Sequence, residues 1–88
     1  MRCKKFNVTG RVQGVWFRQS TKNTAQSLSL TGWVSNRQNG SVELVACGSE
    51  KSLVELETWL WRGPPASDVE SVVSKTITPE SFAGFEIV

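Results

Sequence analysis

The sequence predicts an α+β fold in which two helices cover one face of a mainly antiparallel sheet. Three observations predict it: short segments with alternating apolar residues, two longer segments with helical spacing, and the order of these segments along 88 residues. A chain this short buries only about 60% of the surface that its unfolded form exposes, so its core must be compact. We expect one domain over residues 1–88.

The first strand and the first helix follow from the spacing of apolar residues. Residues 3–8 alternate, with Phe6 and Val8 on one face, which is typical of a half-buried strand. The segment Gly10–Gly14 is expected to end that strand. A helix should follow, because apolar residues then recur every three or four positions; this stripe comprises Phe17, Thr21, Ala25 and Leu28.

A β-hairpin is predicted in the middle of the chain. Gly32–Val34 opens a second strand, and Asn39 and Gly40 form a turn because both residues tolerate a positive φ. The return strand covers Ser41–Ala46, and its apolar face comprises Val42, Leu44 and Ala46.

The last part of the chain predicts a second helix and two further strands. Ser49 is suited to cap the helix, and Gly63–Pro65 ends it because proline cannot continue a helix. A long strand at Val69–Ile77, a loop at Pro79–Gly84 and a short strand at Phe85–Val88 complete the chain. The apolar stripe of this helix comprises Leu53, Leu56 and Leu60.

The predicted element order is β-α-β-β-α-β with one extra short strand, which is the ferredoxin-like arrangement. In that arrangement the first strand is central and runs antiparallel to the third. The first and second strands run parallel, so their carboxyl ends lie on the same edge of the sheet. Residues that follow these two strands are therefore expected to lie close together.

Composition narrows the classes of function. The formal net charge is only +2 and the basic residues are scattered, which gives no support to a nucleic-acid partner. No apolar run approaches the roughly 20 residues of a membrane span, so no membrane partner is expected. The basic segment Met1–Lys5 has no apolar stretch behind it and does not resemble a secretory signal, so we expect a cytoplasmic protein.

The chain has no histidine and no tyrosine. It therefore lacks the commonest general base and the commonest metal ligand of proteins. Two cysteines without histidine cannot form an ordinary four-ligand zinc site. Neither a metal nor a cofactor is expected. Catalysis would have to use arginine, lysine, asparagine, carboxylates, hydroxyls or backbone amides.

The segment from Gly10 to Arg18 is suited to holding an anion. It joins a strand to the start of a helix, where backbone amides are unpaired and the helix dipole is positive. Glycine lets successive amides converge, and Arg18 adds a planar, permanently charged fork that suits phosphate. Taken by itself, the glycine loop is equally compatible with a plain strand–helix turn.

Two motifs resemble the signatures of the acylphosphatase family. The first motif is Val8-x-Gly10-x-Val12-Gln13-Gly14-Val15-x-Phe17-Arg18. The second motif is Gly32-Trp33-Val34-Ser35-Asn36-x-x-x-Gly40-x-Val42, followed by Gly48. The predicted element order also fits the fold of that family along the whole chain.

The resemblance implies a metal-independent hydrolase that splits acyl phosphates into a carboxylate and inorganic phosphate. By the motif match, Arg18 binds the phosphate and Asn36 positions the attacking water. The partner would be a small acyl phosphate, with inorganic phosphate or a similar anion in the loop, and a monomer is expected. The phosphate-binding residues would be Arg11, Val12, Gln13, Gly14, Val15, Trp16, Phe17 and Arg18.

This chemistry is compatible with a chain that has no histidine. A carboxylate leaving group is a weak base and needs no strong proton donor, and phosphoryl transfer depends mainly on positioning and charge stabilisation. Asn36 can orient a water but cannot act as a strong base, so the proton of that water is expected to go to a substrate oxygen. On spacing alone Asn36 is a turn-forming residue, and only the paired motif favours the catalytic role.

Some alternatives stay open. Two rival functions are a binding module that holds an anion without turnover and a nucleic-acid-binding domain. The presence of both Arg18 and Asn36 argues against the binding module. Cys3 and Cys47 lie at strand ends that meet, so the sequence allows either a disulfide or two buried thiols. A cytoplasmic location favours the two thiols. Trp16 either borders the substrate site or packs against the fold.

Overall fold

Seven secondary-structure elements follow one another in the order that the sequence predicts. The structure is a computed structural model that describes residues 1–88. The elements are β1 (Arg2–Arg11), α1 (Phe17–Ser27), β2 (Thr31–Asn36), β3 (Val42–Gly48), α2 (Glu50–Arg62), β4 (Asp68–Ile77) and β5 (Phe85–Ile87).

The five strands form one sheet in the order β4-β1-β3-β2-β5. β1 is antiparallel to both β3 and β4, and β2 is antiparallel to β3, whereas the short β5 pairs with β2 in parallel. β1 and β2 therefore run in the same direction, and their carboxyl ends lie on one edge of the sheet. The predicted ferredoxin-like fold, with a central first strand antiparallel to the third, is confirmed.

Most strand boundaries differ from the predicted ones by one or two residues, and one difference affects the site. Gly10 does not end β1: Gly10 and Arg11 continue the strand and pair with Val69 and Asp68, after a shift of register at Thr9. Gly10 has a φ of 120°, and a Cβ atom there would lie 2.2 Å from the carbonyl oxygen of Asp68. The glycine thus allows a close approach of two strands at an irregularity, a role that its sequence neighbours do not reveal.

The main core lies between the sheet and the two helices. It contains the predicted apolar faces of β1 and β3 and the buried stripe of α2, including Phe6, Leu44 and Leu56. In α1 only Phe17, Thr21 and Ala25 of the predicted stripe are buried; Leu28 forms the C-cap and is partly exposed.

A second, smaller cluster lies on the opposite face of the sheet. Cys3 and Cys47 are directly paired across β1 and β3, with their Cα atoms 4.1 Å apart, and they are joined by a disulfide. Val45 completes the buried part of this cluster, and Trp33 and Phe82 pack against it. Between the two forms that the sequence allows, the structure therefore has the bonded one.

The two helices begin in different ways. At α2 the hydroxyl of Ser49 accepts a hydrogen bond from the amide of Ser52, with 3.1 Å between the two atoms, so the predicted cap is confirmed. At α1 the N-cap residue is Trp16, whose side chain makes no capping bond, and the first turn holds no acidic residue. The amides that begin α1 therefore have no side-chain acceptor. Neither helix has the length and apolar character needed to cross a membrane.

Candidate active site

An open cavity of about 440 Å³ lies where β1 and β2 end and α1 begins. The fold brings these three termini together because β1 and β2 run in the same direction and α1 follows β1 after only five residues. The cavity is lined by Val12, Gly14, Trp16, Phe17, Arg18, Gln19, Asn36 and Ile87.

The backbone amides of residues 12–16 have no acceptor within the protein. None of the backbone hydrogen bonds outside the helices and strands starts from one of these amides, and no side chain accepts from them. Gly14 has a φ of 74° and Trp16 a φ of 66°, so the chain reverses its curvature twice within this segment. A short segment of free amides that precedes a helix start is suited to binding an anion.

Arg18 is the only charged residue that lines the cavity. Its side chain is exposed, and it takes part in none of the ion pairs, which join Arg2 to Glu50 and both Lys5 and Arg37 to Glu43. A guanidinium with no partner can therefore meet an anion without first breaking a salt bridge.

Arg37 is the nearest basic residue along the chain to Asn36, but it is held elsewhere. Its guanidinium donates to Oε1 of Glu43 from both Nε and Nη2, and its charged end lies 5.5 Å from the centre of the Trp33 ring. These contacts keep the positive charge of Arg37 on the outer face of the sheet, and it does not line the cavity.

Asn36 is the last residue of β2 and is partly buried. Its backbone is held in register with Val42 of β3, so the start of the side chain is fixed by the sheet. The side-chain oxygen Oδ1 is buried and has no hydrogen-bond partner in the protein. The side chain of Asn36 lines the cavity, and its amide group carries both a donor and an acceptor, which suits it to hold a bound water or a substrate group.

Gln13 joins the amide segment to the β2–β3 hairpin. Its Nε2 atom donates to the carbonyl oxygen of Arg37, at 2.8 Å, and to that of Ser41, at 2.9 Å. Both N–H groups of the side-chain amide are therefore used on the turn that directly follows Asn36. The side chain fixes the position of the amide segment relative to Asn36.

Ser41 is part of the hairpin turn. Its buried hydroxyl donates to Oδ1 of Asn39 at 2.7 Å and accepts from Nδ2 of Asn7 at 3.2 Å. No hydrogen bond joins it to Asn36, so it stabilises the turn.

The predicted phosphate-binding residues fall into two groups. Arg11 is exposed at the end of β1, the side chain of Gln13 is bound to the hairpin, and the side chain of Val15 is buried in the core. The predicted residues that line the cavity are Val12, Gly14, Trp16, Phe17, Arg18 and Asn36.

Two cavity residues have no signal in the sequence. Gln19 lies off the apolar stripe of α1, and Ile87 lies in the predicted closing strand, and neither position indicates a site. Ile87 reaches the cavity because β5 pairs in parallel with β2, with Ile87 opposite Val34. That pairing depends on tertiary structure and leaves no local pattern.

The tryptophans take different positions. Trp33 is half-buried against the disulfide cluster, and the ring of Trp59 packs 5.7 Å from that of Phe17. Trp61 is about half exposed on the outer face of α2, and Trp16 lines the cavity.

Fold and cavity together define a class of protein: a ferredoxin-like α+β domain with a cationic cavity at the junction of its first strand and first helix. Comparison with known proteins agrees. The family model of acylphosphatases matches residues 4–87. An acylphosphatase from Xanthomonas oryzae is 53% identical over 72 residues, which cover 82% of each chain.

Solved structures agree as well. The structure of an acylphosphatase from Coxiella burnetii superposes with a TM-score of 0.97 at 45% identity, covering 99% of this chain and 92% of that one. An acylphosphatase from Bacillus subtilis gives the same TM-score at 36% identity and covers 99% of its own chain. The chain therefore belongs to the acylphosphatase family, and the prediction of a hydrolase of this class is confirmed.

Proposed function

We propose that this chain hydrolyses the carboxyl–phosphate bond of small acyl phosphates without a metal. One observation supports this most: the unpaired guanidinium of Arg18, the side-chain amide of Asn36 and the segment of free amides at residues 12–16 meet at one cavity. These groups supply an anion site and a water site side by side. The family membership supports the same conclusion.

The phosphoryl group would bind to the amide segment and Arg18. The free amides would donate to its non-bridging oxygens, and the positive end of the α1 dipole adds to the favourable field. Arg18, in the first turn of α1, would donate from its planar fork to two oxygens at once. Fixed donors of this kind stabilise the charge that develops in the transition state and need no reorganisation.

Asn36 would orient the attacking water. Its side-chain amide, which lines the cavity, would hydrogen-bond the water and turn a lone pair of the water towards phosphorus. The water oxygen then bonds to phosphorus as the bond from phosphorus to the bridging oxygen breaks. The bridging oxygen leaves with its electron pair as part of the carboxylate.

The proton balance needs no general base. The cavity is lined by apolar residues, a glycine, two amides and Arg18, so no carboxylate is in place to accept the proton of the water. That proton would pass to an oxygen of the phosphoryl group, which becomes inorganic phosphate. Because the leaving carboxylate is a weak base, no acid is needed on the other side.

The proposed working form is a monomer, since a single chain brings the cation, the free amides and Asn36 to the cavity. The location in the cytoplasm stays a prediction.

Hydrolysis of benzoyl phosphate in the presence of a chelator tests the proposal. We expect turnover by the wild type, a loss of about 10³-fold or more in kcat/KM for Arg18→Ala, and a smaller loss for Asn36→Ala. Arg62→Ala, which removes an exposed arginine from the last turn of α2, is the matched control and should keep full activity. Circular dichroism would show that each variant is folded.

Full activity of Asn36→Ala would contradict the role of Asn36. A wild type that binds inorganic phosphate but does not hydrolyse the substrate would instead favour the binding module.

A further inference from the structure

We infer that Trp16 is a specificity-determining residue whose indole ring binds the acyl part of the substrate and favours aromatic and other apolar acyl groups. The inference rests on the proposed function, which concerns only the phosphoryl end of the substrate. It adds the chemical class of the other end.

The indole of Trp16 is held out in solvent at the cavity. It is 80% exposed, more than any other large apolar side chain of the protein. The rings of Trp33 and Trp59, in contrast, pack against the disulfide cluster and Phe17. Unlike the other exposed apolar side chains, the indole lies at the cavity, so a ligand bound there could cover its apolar surface and gain the stabilisation that burial gives.

The backbone fixes this outward position. Trp16 has φ 66° and ψ 20°, a left-handed conformation that bulky residues rarely adopt. Its neighbours Val15 and Phe17 both belong to the buried core, so the backbone between them cannot rotate to bury the indole. Strained residues of this kind are concentrated at ligand-binding positions.

The cavity has a polar part and an apolar part. Val12 and Phe17 are buried in the core, so the apolar side chains that a ligand can touch in the cavity are those of Trp16 and Ile87. The polar part of the lining consists of Gly14, Arg18, Gln19 and Asn36. A substrate with its phosphoryl group in the polar part would extend its acyl carbons to the apolar part.

The charges of the cavity support the same division. Arg18 is its only cation, and the proposed mechanism uses that charge on the phosphoryl group. The nearby Arg37 is held by Glu43 and Trp33 and is not available to a second anionic group. An acyl group with its own carboxylate would therefore meet an aromatic surface and no positive charge. We expect kcat/KM to be highest for benzoyl phosphate, lower for acetyl phosphate and lowest for succinyl phosphate.

The test compares kcat/KM for benzoyl and acetyl phosphate in two variants. Trp16→Asn removes the ring but keeps a residue that tolerates the left-handed backbone, whereas Trp16→Phe keeps an aromatic ring. We expect Trp16→Asn to lower kcat/KM about five- to tenfold more for benzoyl phosphate than for acetyl phosphate. Trp16→Phe should keep the ratio of the two within about twofold of the wild type.

Two controls separate the outcomes. Trp61→Ala removes another exposed tryptophan, on α2, and should change neither substrate. Inhibition by inorganic phosphate shows whether Trp16→Asn displaces the amide segment, so that the change in the ratio of the two substrates is assigned to the ring alone. An equal loss for both substrates, or an unchanged ratio, would overturn the inference. Absence of turnover in the wild type would overturn the proposed function instead.

Discussion

The two ends of the sheet differ in how many of their polar and charged groups have a bonding partner within the protein. At the end where β1 starts and β3 finishes, Cys3 and Cys47 are buried and bonded, and Arg2 is paired with Glu50 at 3.3 Å. At the end where β1 and β2 finish, five consecutive amides lack acceptors, Oδ1 of Asn36 is unpartnered and Arg18 has no ion pair.

The difference indicates that stability and chemistry are divided between the ends. An unpaired buried polar group costs about 1–3 kcal/mol, and a strained left-handed residue such as Trp16 costs about the same. A disulfide typically contributes about 2–4 kcal/mol. We call the end with the disulfide the bonded end and the end with the cavity the open end. The free energy that the disulfide contributes at the bonded end is therefore of the size needed to offset the free energy that the unpaired and strained groups cost at the open end.

Loss of the disulfide is the change expected to affect stability most. The bond closes a loop between residues 44 positions apart, so replacing both cysteines by alanine should lower the free energy of unfolding by about 2–4 kcal/mol. The kcat for benzoyl phosphate should stay within about twofold, because Cys3 and Cys47 lie at the opposite end from the cavity. Urea unfolding and initial rates measure the two quantities.

The bond itself can be checked by thiol titration. The untreated protein, unfolded in urea, should show no free thiol, and the reduced protein should show two. Two thiols without reductant would mean that the protein is isolated in the unbonded form. A fall of tenfold or more in kcat for the double alanine variant would show that the two ends are coupled.

Asn36→Ala should show the reverse pattern. We expect kcat to fall about 100-fold, because a fixed hydrogen-bonding group at the reacting centre is lost. The free energy of unfolding should stay the same or rise by about 1 kcal/mol, since the unpartnered Oδ1 is removed with it. Stability is measured by urea unfolding. A loss of more than about 1 kcal/mol would show that Asn36 supports the fold and that the open end carries no strain there.

The sequence predicts most of the fold because its signals are local. Alternation, helical spacing and the turn at Asn39 and Gly40 each act within a few residues, and they give the element order and the meeting of the two strand ends. The same reasoning places Arg18 and Asn36 at one edge before any coordinates are known. It misses the extension of β1 through Gly10, because that depends on the close approach of β4.

The candidate site is predicted less completely for the same reason. Ile87 reaches the cavity only through the pairing of β5 with β2, and the outward indole of Trp16 depends on a left-handed backbone between two core residues. The role of Gln13 is a third example. Its place in the first motif marks it as a cradle residue through its amide, but its side-chain partners lie 24 and 28 residues away.

Gln13→Ala tests the contact between the amide segment and the hairpin, and it should lower kcat less than Asn36→Ala does. Two hydrogen bonds to the carbonyl oxygens of Arg37 and Ser41 are lost, and at this partly exposed position we expect only about 1 kcal/mol less stability. The kcat should still fall about tenfold, because a small displacement of the amides relative to Asn36 misaligns phosphorus and water.

The matched control for this prediction is Gln38→Ala, which removes an exposed glutamine from the same turn and should change neither quantity. Gln13→Glu sharpens the test, because it would place a carboxylate oxygen against the same two carbonyl oxygens and should lower kcat further than alanine does. If Gln13→Ala kept the wild-type kcat, the amide segment would hold its position without the hairpin. The open end would then be fixed by the core contacts of Val15 and Phe17 alone.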